Sequence, residues 1–366
     1  MSDYLSEELV AEILKRVPVK SLLKFTSVCK LWYSLITNPN FISFHLAHTT
    51  QANETYLLVK KNISYGRKPQ FVLHRDNDSF SEYQKLDLSS FFAKENLDNG
   101  IKIAGSCNGL VCLFDKINNR LILWNPAIGE LITTSLNVRN KRMCVVVGFG
   151  FDRKNNDYKV VTIVYDDYSK IYSKFYLLGE IIQPSIELFE LGSNVWRTIT
   201  FKSLNYLVVG CSCAYLNGIT HWFAQLYNGI AIKTMITSFD LSSEAFEDIM
   251  LPNALAKLTN HLSLSLTVYR QSLAVICYET LDMVNCNYLK CSIWVMKEYG
   301  ALESWTKLFT IDLENRGGFK LVLGFQGNGG ILIDKSDADV ASYDPQTQRM
   351  TQLVDSDGGC YSVAQC

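Results

Sequence analysis

The first stretch of the chain, from Leu5 to Ile36, repeats large apolar residues with the spacing of an α-helix. Ser6 is well placed to cap a first helix, and Glu7 and Glu8 would lie in its first turn, where negative charge suits the helix dipole. Pro18 stops this helix because proline cannot continue one. Between Glu8 and Pro18 the apolar positions are Leu9, Val10, Ile13, Leu14 and Val17.

Two further helices are predicted beyond that proline. The second begins near residues 19–20, and the third covers roughly Lys30–Ile36. Asn38 and Pro39 end the third helix, and only a short turn over residues 41–46 is expected after them. Both helices carry broad apolar faces, as the first one does.

These three helices carry more apolar surface than they can cover among themselves. Together they span about thirty residues, which is below the size at which a domain usually folds alone. Either the rest of the chain covers them, as an N-terminal cap packed on a downstream domain, or another protein does. The spacing of the residues does not decide between these two arrangements.

After about residue 55 the pattern changes from helical spacing to short strands. Runs of β-branched and aromatic residues such as TYLLVK, LILWN and YKVVTIVY are separated by Gly, Asn, Asp and Ser. Many short strands at regular spacing are typical of a sandwich, a barrel or a propeller.

One hairpin unit recurs along this part of the chain. Each regular copy has an aromatic residue, a polar turn and a large apolar residue seven positions after the aromatic one. The regular copies are Leu123–Leu131, Leu188–Trp196, Ser238–Phe246 and Ser342–Met350. Residues 293–305 form a copy with a longer turn, and residues 71–83 form a weak one. The copies start 49 to 65 residues apart, which is the period of a kelch-like, four-stranded blade.

A second element precedes several copies and supports a propeller. It is an Asn-Gly turn, or its equivalent, followed by an apolar strand, and we expect it to introduce the inner strand of a blade. It occurs at residues 108–114, 217–223, 271–277 and 328–333. Six units fill residues 50–366 and predict a six-bladed, all-β propeller. Seven blades are the alternative because Ile132–Ser185 is long, and a large irregular β-sandwich is another.

Composition limits the classes of partner. Of 366 residues, 48% are hydrophobic and 19% are charged, which indicates a globular chain. The formal net charge of −1 gives no broad attraction to nucleic acid or to an anionic membrane. No apolar run reaches the ~18 residues that would span a bilayer, and no secretory signal is recognised. The eleven cysteines are therefore expected to be reduced thiols that pack as small hydrophobic groups.

No set of residues predicts catalysis, a metal site or a cofactor. The sequence contains no nucleophile elbow, no zinc-protease motif and no phosphate-binding P-loop. The GFGFD segment, Gly148–Asp152, lacks the third glycine of a phosphate loop and is interpreted as a strand or turn. His221 is interpreted as a packed or rim-facing residue. We therefore predict a non-enzymatic protein without a cofactor.

The N-terminal segment resembles the F-box of plant proteins. Leu5–Ile36 followed by Asn38–Leu46 matches this motif, with its Pro-Val-Lys-Ser-Leu and Val-Cys-Lys-x-Trp elements both in register. The Leu-Pro at the usual start of the motif is Leu5-Ser6 here, and the serine is itself a good helix cap. An F-box implies binding to the Skp-type adaptor of a cullin–RING ubiquitin ligase.

The resemblance implies a set of adaptor-facing residues. By position they are Leu5, Leu9, Ile13, Leu14, Pro18, Val19, Leu22, Leu23, Val28, Cys29, Trp32 and Leu35. Some of these are expected to hold the helices together instead, and the sequence does not separate the two sets. The implied organisation is an α+β multidomain chain, with a three-helix F-box over residues 1–48 and a propeller over residues 49–366.

The body of the chain resembles the plant F-box-associated domain over nearly its whole length. Its landmarks include GSCNGLVCLFD, LWNPAIGEL, GFGFDRKNNDYKVV and SFDLSSEAFEDIMLP, in that order. Within this family the chain is most similar to S-locus F-box-like and related F-box interaction proteins. The resemblance implies a cytoplasmic or nuclear substrate-recognition subunit of an SCF (Skp–cullin–F-box) ubiquitin ligase, with a protein target bound by propeller loops.

The identity of the target stays open at this point. One class is a pistil S-RNase in self-incompatibility, which is basic and would favour an acidic patch on the loops that bind it. Another is a different intracellular protein, in a general or immunity-related role. A propeller that works without a ligase and binds a small ligand, with its N-terminal helices as a cap, is the alternative of a different class.

Overall fold

Over its described residues the chain folds into a helical head followed by six antiparallel sheets, each of four strands. The structure, a computed structural model, describes residues 5–51, 55–63, 68–95, 97, 100–136, 143–227, 231–256, 264–284, 287–335, 339–354 and 359–365. The six sheets are the blades of a propeller. The predicted arrangement of a small helical segment and a six-bladed β-propeller is therefore confirmed.

The helical head contains four helices. They are α1 (Glu7–Leu14), α2 (Val19–Phe25), α3 (Lys30–Ile36) and α4 (Pro39–Gln51). The first three are the helices that the apolar spacing predicts. The hydroxyl oxygen of Ser6 accepts a hydrogen bond from the backbone N–H of Leu9 at 3.4 Å, so this serine caps α1 as expected.

Helix α4 differs from the prediction, because only a short turn was expected over residues 41–46 and a 13-residue helix is found. Pro39 occupies its first position, where a helix needs no backbone N–H donor. The side-chain oxygen of Asn38 accepts a hydrogen bond from the backbone N–H of Asn40 at 2.8 Å. The Asn-Pro pair that ends α3 is therefore also a start signal for α4.

The strands are short and follow one another as meanders. In chain order they are β1 (Tyr56–Ile63), β2 (Gln70–Arg75), β3 (Glu82–Leu86), β4 (Ile101–Cys107), β5 (Leu110–Asp115), β6 (Arg120–Asn125), β7 (Glu130–Ser135), β8 (Cys144–Asp152), β9 (Asp157–Tyr165), β10 (Ser185–Glu190), β11 (Val195–Thr198), β12 (Leu207–Leu216), β13 (Ile219–Tyr227), β14 (Ile232–Asp240), β15 (Ala245–Ile249), β16 (Leu264–Tyr269), β17 (Ser272–Asp282), β18 (Asn287–Met296), β19 (Trp305–Asp312), β20 (Leu321–Phe325), β21 (Ile331–Asp334), β22 (Val340–Asp344), β23 (Arg349–Val354) and β24 (Gly359–Gln365).

Short helices lie between some of the strands. They are α5 (Ser89–Lys94), α6 (Tyr168–Lys170), which continues as a π-helix (Ile171–Leu177), α7 (Asn253–Ala256), and two single 3₁₀ turns (Leu302–Ser304 and Glu314–Arg316).

The blades close into a ring through the last strand. Blade 1 has the order β24-β1-β2-β3, so the C-terminal strand pairs with the first strand of the propeller. Blades 2 to 6 each contain four consecutive strands, starting with β4, β8, β12, β16 and β20. Because β4 contacts both β8 and β24, the first strand of each blade lies nearest the axis.

The recurring hairpin is the outer pair of strands in each blade. In the regular copies the aromatic residue and the apolar residue seven positions later face each other directly across two antiparallel strands. The pairs are Trp124–Leu131, Phe189–Trp196, Phe239–Phe246 and Tyr343–Met350. The spacing predicts this register because a tight turn joins the two strands.

The Asn-Gly element lies one strand further out than predicted. Asn108-Gly109 and Asn217-Gly218 have positive φ angles and form the turns between the first and second strands of blades 2 and 4. The apolar run after each turn is therefore the second strand, whereas an inner strand was expected. Both strands are buried, so composition alone does not distinguish them.

The described residues of the long stretch Ile132–Ser185 do not form a seventh blade. It holds the first two strands of blade 3 and a helical insert, residues 168–178, between β9 and β10. Phe175 of the insert is buried, and the hydroxyl of Tyr176 donates a hydrogen bond to Oε1 of Gln225 at 2.7 Å. The insert is thus anchored to blade 4.

The propeller has two different ends. At one end, the short-turn face, tight turns join the first strand to the second and the third to the fourth. They include residues 108–109, 126–129, 191–194, 217–218, 241–244, 270–271, 297–304 and 345–348. At the other end, the long-loop face, the described connections include residues 68–69, 87–95, 116–119, 166–184, 199–206, 250–256, 283–284, 313–320, 335 and 339. Strand β1 starts at the short-turn face, because Leu57 pairs with Gln365, so the helical head joins the propeller there.

Candidate functional site

Helix α1 has two apolar stripes that point in different directions. Val10 and Leu14 are buried, while Leu9 and Ile13, one position before each, are exposed. Leu5 lies two residues before the start of α1, four positions before Leu9, and is 60% exposed. Because residues four apart lie on the same helix face, the outer stripe is continuous along α1.

The inner stripe belongs to a small core formed only by the helical head. Its buried members are Val10, Leu14, Leu22, Ile36 and Phe41, and Trp32 and Leu35 pack against it from half-buried positions. The rings of Phe25 and Trp32 meet edge to face at 5.4 Å between centroids. The head is therefore held together by its own side chains.

The predicted adaptor-facing residues divide into three groups by burial. Leu14 and Leu22 are only 1% and 5% exposed and lie inside the head, so they do not offer contact surface. Val19, Trp32 and Leu35 are half-buried. The remaining predicted residues are all exposed: Leu5, Leu9, Ile13, Pro18, Leu23, Val28 and Cys29.

Two exposed apolar residues of α3 are absent from the predicted set. Leu31 is 47% exposed and Tyr33 is 58% exposed, and they flank the half-buried Trp32. Helical geometry could have found them, since a helix that buries Ile36 and half-buries Trp32 turns Leu31 and Tyr33 away from its core. We call the seven exposed predicted residues together with Leu31 and Tyr33 the exposed helical set.

Local hydrogen bonds shape the segment between α2 and α3. The hydroxyl of Thr26 donates to the carbonyl of Leu23 at 2.6 Å, and the hydroxyl of Ser27 donates to the carbonyl of Lys24 at 2.7 Å. The sulfur of Cys29 accepts the backbone N–H of Trp32 at 3.5 Å and caps α3. These bonds complete the ends of both helices, and Val28 remains 60% exposed between them.

Helix α4 packs against α1 and stabilises the helical head. The Nε2 atom of His45 donates a hydrogen bond to the carbonyl of Val17 at 2.9 Å, which ties α4 to the end of α1. The ammonium group of Lys15 lies 4.5 Å from the ring centre of Phe44 and also pairs with Glu12. The hydrogen bond from Lys15 lowers the pKa of Glu12.

The propeller exposes its most accessible apolar side chains on the long-loop face. Val284 is 90% exposed, Met283 78%, and Leu177 and Leu178 of the helical insert are each 66% exposed. At the short-turn face Val195, which follows the turn of residues 191–194, is 55% exposed, and Tyr299 is 45% exposed. The two ends therefore differ in surface chemistry as well as in loop length.

The GFGFD segment is part of β8, as the strand interpretation predicts. A Cβ atom at Gly150 would lie 2.2 Å from the ring of Tyr215, and one at Gly148 would lie 2.4 Å from the ring of Trp222. Both aromatic residues belong to blade 4. Glycine is needed here so that blade 4 can pack closely against blade 3, which leaves no room for a phosphate loop.

Three residues of the propeller, His221, Cys107 and Cys213, have pKa values shifted by burial. His221 has no exposed surface, and burial lowers its pKa to about 4. Burial also raises the pKa of the Cys107 and Cys213 thiols, to about 12 and about 11, so they stay protonated at neutral pH. In the described part of the chain no three His, Cys, Asp or Glu residues are grouped as a metal site would require.

No described helix combines the length and the apolar character needed to cross a membrane.

Comparison with known proteins agrees with this division into a head and a propeller. The family described as F-box domain matches residues 3–44, and the F-box associated beta propeller domain matches residues 58–365. An F-box protein of Arabidopsis thaliana is 30% identical, over 94% of this chain and 83% of the relative. An F-box/kelch-repeat protein of the same plant is 28% identical, over 83% and 78%. The Arabidopsis F-box protein CPR1 is 24% identical, over 94% and 83%.

The match to the propeller family covers most of the chain, and the plant relatives align over both parts. The fold agrees with this, since the head forms the helices of the F-box motif and the body forms six four-stranded blades. The chain therefore belongs to the plant F-box proteins that carry an F-box associated β-propeller domain.

Proposed function

We propose that this protein is the substrate-recognition subunit of an SCF ubiquitin ligase. Its helical head binds a Skp-type adaptor, and through it the cullin and the RING protein. Its propeller holds a target protein for ubiquitination and degradation in the cytoplasm or nucleus. The chain performs no bond chemistry itself, because holding the target near the charged conjugating enzyme supplies proximity.

The exposed helical set is the observation that carries this proposal. Large apolar side chains on a soluble surface indicate a protein contact when they are clustered. Here seven of them belong to a segment of about thirty residues: Leu5, Leu9, Ile13, Leu23, Val28, Leu31 and Tyr33. The propeller leaves them accessible, which argues against a head that serves only as a cap.

We propose different roles for the three burial groups. The seven exposed predicted residues, together with Leu31 and Tyr33, contact the adaptor directly. Val19, Trp32 and Leu35 contribute their exposed edges. Leu14 and Leu22 act indirectly, because they keep the helices in the arrangement that presents the other side chains.

The test measures capture of a purified Skp-type adaptor by the full chain. Ile13→Asp is expected to weaken capture by about tenfold or more, because it places an unpaired charge in an apolar interface. A Leu14→Asp variant is unsuitable because it would disrupt the core of the head. The matched control is Ile132→Asp, since Ile132 lies on outer strand β7 and has similar exposure, 45% against 53%.

The control variant is expected to capture the adaptor as well as the unchanged chain does. If Ile13→Asp leaves capture unchanged, the adaptor does not bind this surface. If the unchanged chain captures no adaptor, the ligase assignment fails, and the alternative of a ligase-independent propeller is favoured.

For the target, we propose the long-loop face as the binding surface. It lies at the end of the propeller away from the helical head, so a target there does not compete with the adaptor for space. Its exposed apolar residues, Leu177, Leu178, Met283 and Val284, offer contacts of the kind found in protein interfaces. Because binding residues on these loops are held by the rigid blades, changes in loop sequence and length can alter which target is bound while the blades stay the same.

The charge of this face favours a target other than a basic ribonuclease. The described segments of the long-loop face hold seven acidic and nine basic residues, so no acidic patch dominates them. The acidic ones are Asp87, Glu95, Asp166, Asp167, Glu180, Glu314 and Asp339, and the basic ones are Lys68, Lys94, Lys116, Lys170, Lys174, Lys202, Arg316, Lys320 and Lys335. A basic S-RNase would be attracted by excess negative charge, which is absent from these segments.

Affinity capture from cells under proteasome inhibition tests the target surface. A Leu177→Asp/Leu178→Asp variant is expected to capture fewer ubiquitinated targets and the same amount of adaptor as the unchanged chain. Retention of the same targets would show that they bind elsewhere.

A further inference from the structure

The helical insert of blade 3 contains an uncommon kind of helix. After α6 the chain continues as a seven-residue π-helix, Ile171–Leu177, in which backbone hydrogen bonds span five residues instead of four. Helices of this kind are usually single turns within an α-helix and are frequent at functional sites. The exposed tip of the insert, Leu177 and Leu178, belongs to the long-loop face. The register of the helix therefore decides which side chains are presented on that face.

The sequence of the insert favours a different register. Ile171, Phe175 and Leu178 have the i, i+4, i+7 spacing of one face of an α-helix. An α-helix would therefore turn all three towards the blades. In the structure Ile171 and Phe175 are 4% and 1% exposed, but Leu178 is 66% exposed. The extra residue in the π-helical turn moves Leu178 off the inner face and places it beside Leu177.

Tyr176 takes the inner position that the α register would give to Leu178. It follows Ile171 by five residues, which is the spacing of a π-helix, and its hydroxyl donates to Oε1 of Gln225 at 2.7 Å. Gln225 has no exposed surface, so this bond is shielded from water. In an α-helix a residue five positions after Ile171 would point about 140° away from it. The bond therefore favours the π register.

Gly179 holds the other side of the tip. Its φ angle of +69° lies in the left-handed region that favours glycine, and a Cβ atom there would lie 2.2 Å from the ring of Tyr227. Tyr227 and Gln225 are two residues apart on strand β13, so they share one face of that strand. Leu177 and Leu178 thus lie between two anchors on the same strand of blade 4.

A third contact holds the chain that follows the tip. The side-chain nitrogen of Gln183 donates to the carbonyl of Leu204 at 2.7 Å, and its oxygen accepts the backbone N–H of Leu204 at 3.0 Å. Leu204 belongs to the connection that leads into blade 4. Because the tip is held in place before a target arrives, it loses less conformational entropy on binding than a free loop would.

We propose that Tyr176 and Gly179 are positioning residues for target recognition. They hold the insert in the π register, which turns Leu178 outward and forms an apolar contact surface with Leu177. This inference rests on the proposed function, because it concerns the same long-loop face. Without the Tyr176 bond the insert is expected to shift to the α register and bury Leu178 beside Phe175, since that removes an apolar side chain from water.

Thiol labelling at the tip tests the register. Leu178→Cys and Leu177→Cys are introduced separately into the full chain, and mass spectrometry of the tip peptide gives the rate of alkylation at each position. No natural cysteine lies between Cys144 and Cys211, so the peptide reports on the introduced thiol alone. Position 177 is the reference, because it lies about half a helical turn from Phe175 and faces outward in the α register too.

Tyr176→Phe removes the hydroxyl and is expected to lower the ratio of the two rates, 178 over 177, about threefold to tenfold, the effect of one hydrogen bond. Gly179→Ala is expected to lower the ratio as well, because the added Cβ displaces the insert from Tyr227. Tyr83→Phe and Gly129→Ala are the matched controls and are expected to leave it unchanged. Gly129 also has a positive φ angle, but a Cβ there would meet no atom within 4 Å.

Target capture under proteasome inhibition is measured on Tyr176→Phe and Gly179→Ala without the introduced cysteines, after thermal unfolding has confirmed that both are folded. Both are expected to capture less of the targets that the Leu177→Asp/Leu178→Asp variant loses, and the same amount of adaptor. The inference is overturned if the rate ratio is unchanged or higher in both variants, or if both capture those targets as fully as the unchanged chain. Full capture by the Leu177→Asp/Leu178→Asp variant would instead overturn the proposed target surface, and the rate ratios would still decide the register.

Discussion

At the scale of single residues, Lys159 is a buried cation held by carboxylates from two blades. Its Nζ atom lies 2.8 Å from Asp152 of blade 3 and 3.2 Å from Glu244 of blade 4, and the lysine side chain is only 2% exposed. Burial opposes ionisation of Asp152, but hydrogen bonds from Lys159, Ser242 and Asn155 outweigh it and hold the pKa of Asp152 below its ordinary value. The group joins blades 3 and 4 at the short-turn face.

The Asp152→Asn variant is expected to lose about 2 kcal/mol of unfolding free energy at pH 7, the value of hydrogen bonds to a charged group. Because the folded-state pKa of Asp152 is lowered, its contribution is present above about pH 4 and is lost as the pH falls through the folded-state pKa. The difference between the two chains is therefore expected to shrink in acid. Urea unfolding at pH 7 and pH 3.5 measures it.

Asp166→Asn provides the same change at an exposed aspartate and is expected to alter stability little at either pH. A penalty for Asp152→Asn that stays constant between the two pH values would contradict the assignment of a lowered pKa.

The sequence could predict which residues of the head are apolar but not which of them face outward. Leu9 and Val10 are both large, apolar and part of a helical stripe, yet the first is exposed and the second is buried. A stripe broader than one helix face leaves the choice to tertiary packing. Here Phe41 contributes to that packing from α4, a helix that the local signals did not predict.

At the scale of strands, buried polar side chains tie each of several blades to the next. In these junctions a residue of the second strand bonds to the backbone of the first strand of the following blade. The hydroxyl of Tyr165 accepts the N–H of Val208 at 2.9 Å, and that of Tyr278 accepts the N–H of Val322 at 3.2 Å. Two more contacts of this kind join Asp334 to the N–H of Tyr361 and Lys60 to the carbonyl of Ile101.

The Tyr165→Phe variant is expected to lose about 1–3 kcal/mol of unfolding free energy, because it leaves the N–H of Val208 buried without its acceptor. Tyr83→Phe is the control, because Tyr83 is 49% exposed on outer strand β3. Removal of its hydroxyl is expected to change the unfolding free energy little. Chemical unfolding of both variants makes the comparison. Equal stability of the two variants would show that the junction bond contributes nothing.

The hairpins could be predicted more accurately than the junctions. Trp124 and Leu131 pair as predicted because the turn between them is short and sets the register locally. The partner of Tyr165 lies 43 residues further along the chain, and no local pattern indicates it. The Asn-Pro pair before α4 was misleading for a different reason, since it is compatible with both the end and the start of a helix.

At the scale of the whole molecule, the propeller has two different ends. The helical head joins the propeller at the short-turn face, while the longest loops and the most exposed propeller side chains lie at the opposite face. This polarity follows from an even number of antiparallel strands in each blade, which brings every connection between blades to one end.

Ring closure by β24 has a consequence for the intact propeller. Removal of residues 355–366 deletes β24 and leaves β1 without its inner partner and blade 1 without its first strand. The truncated chain is expected to unfold at a markedly lower temperature and to be cleaved faster by protease. A truncated chain with unchanged melting temperature would mean that closure does not depend on this strand.

The central claim is that the exposed helical set remains uncovered until a Skp-type adaptor binds it. Isothermal titration of the full chain with the purified adaptor at several temperatures tests this most directly, because burial of apolar surface gives a negative heat-capacity change. The account predicts binding with a negative heat-capacity change, lost in a Leu9→Asp/Ile13→Asp variant whose propeller still unfolds normally. Absence of binding by the unchanged chain, or equal binding by the variant, would contradict it.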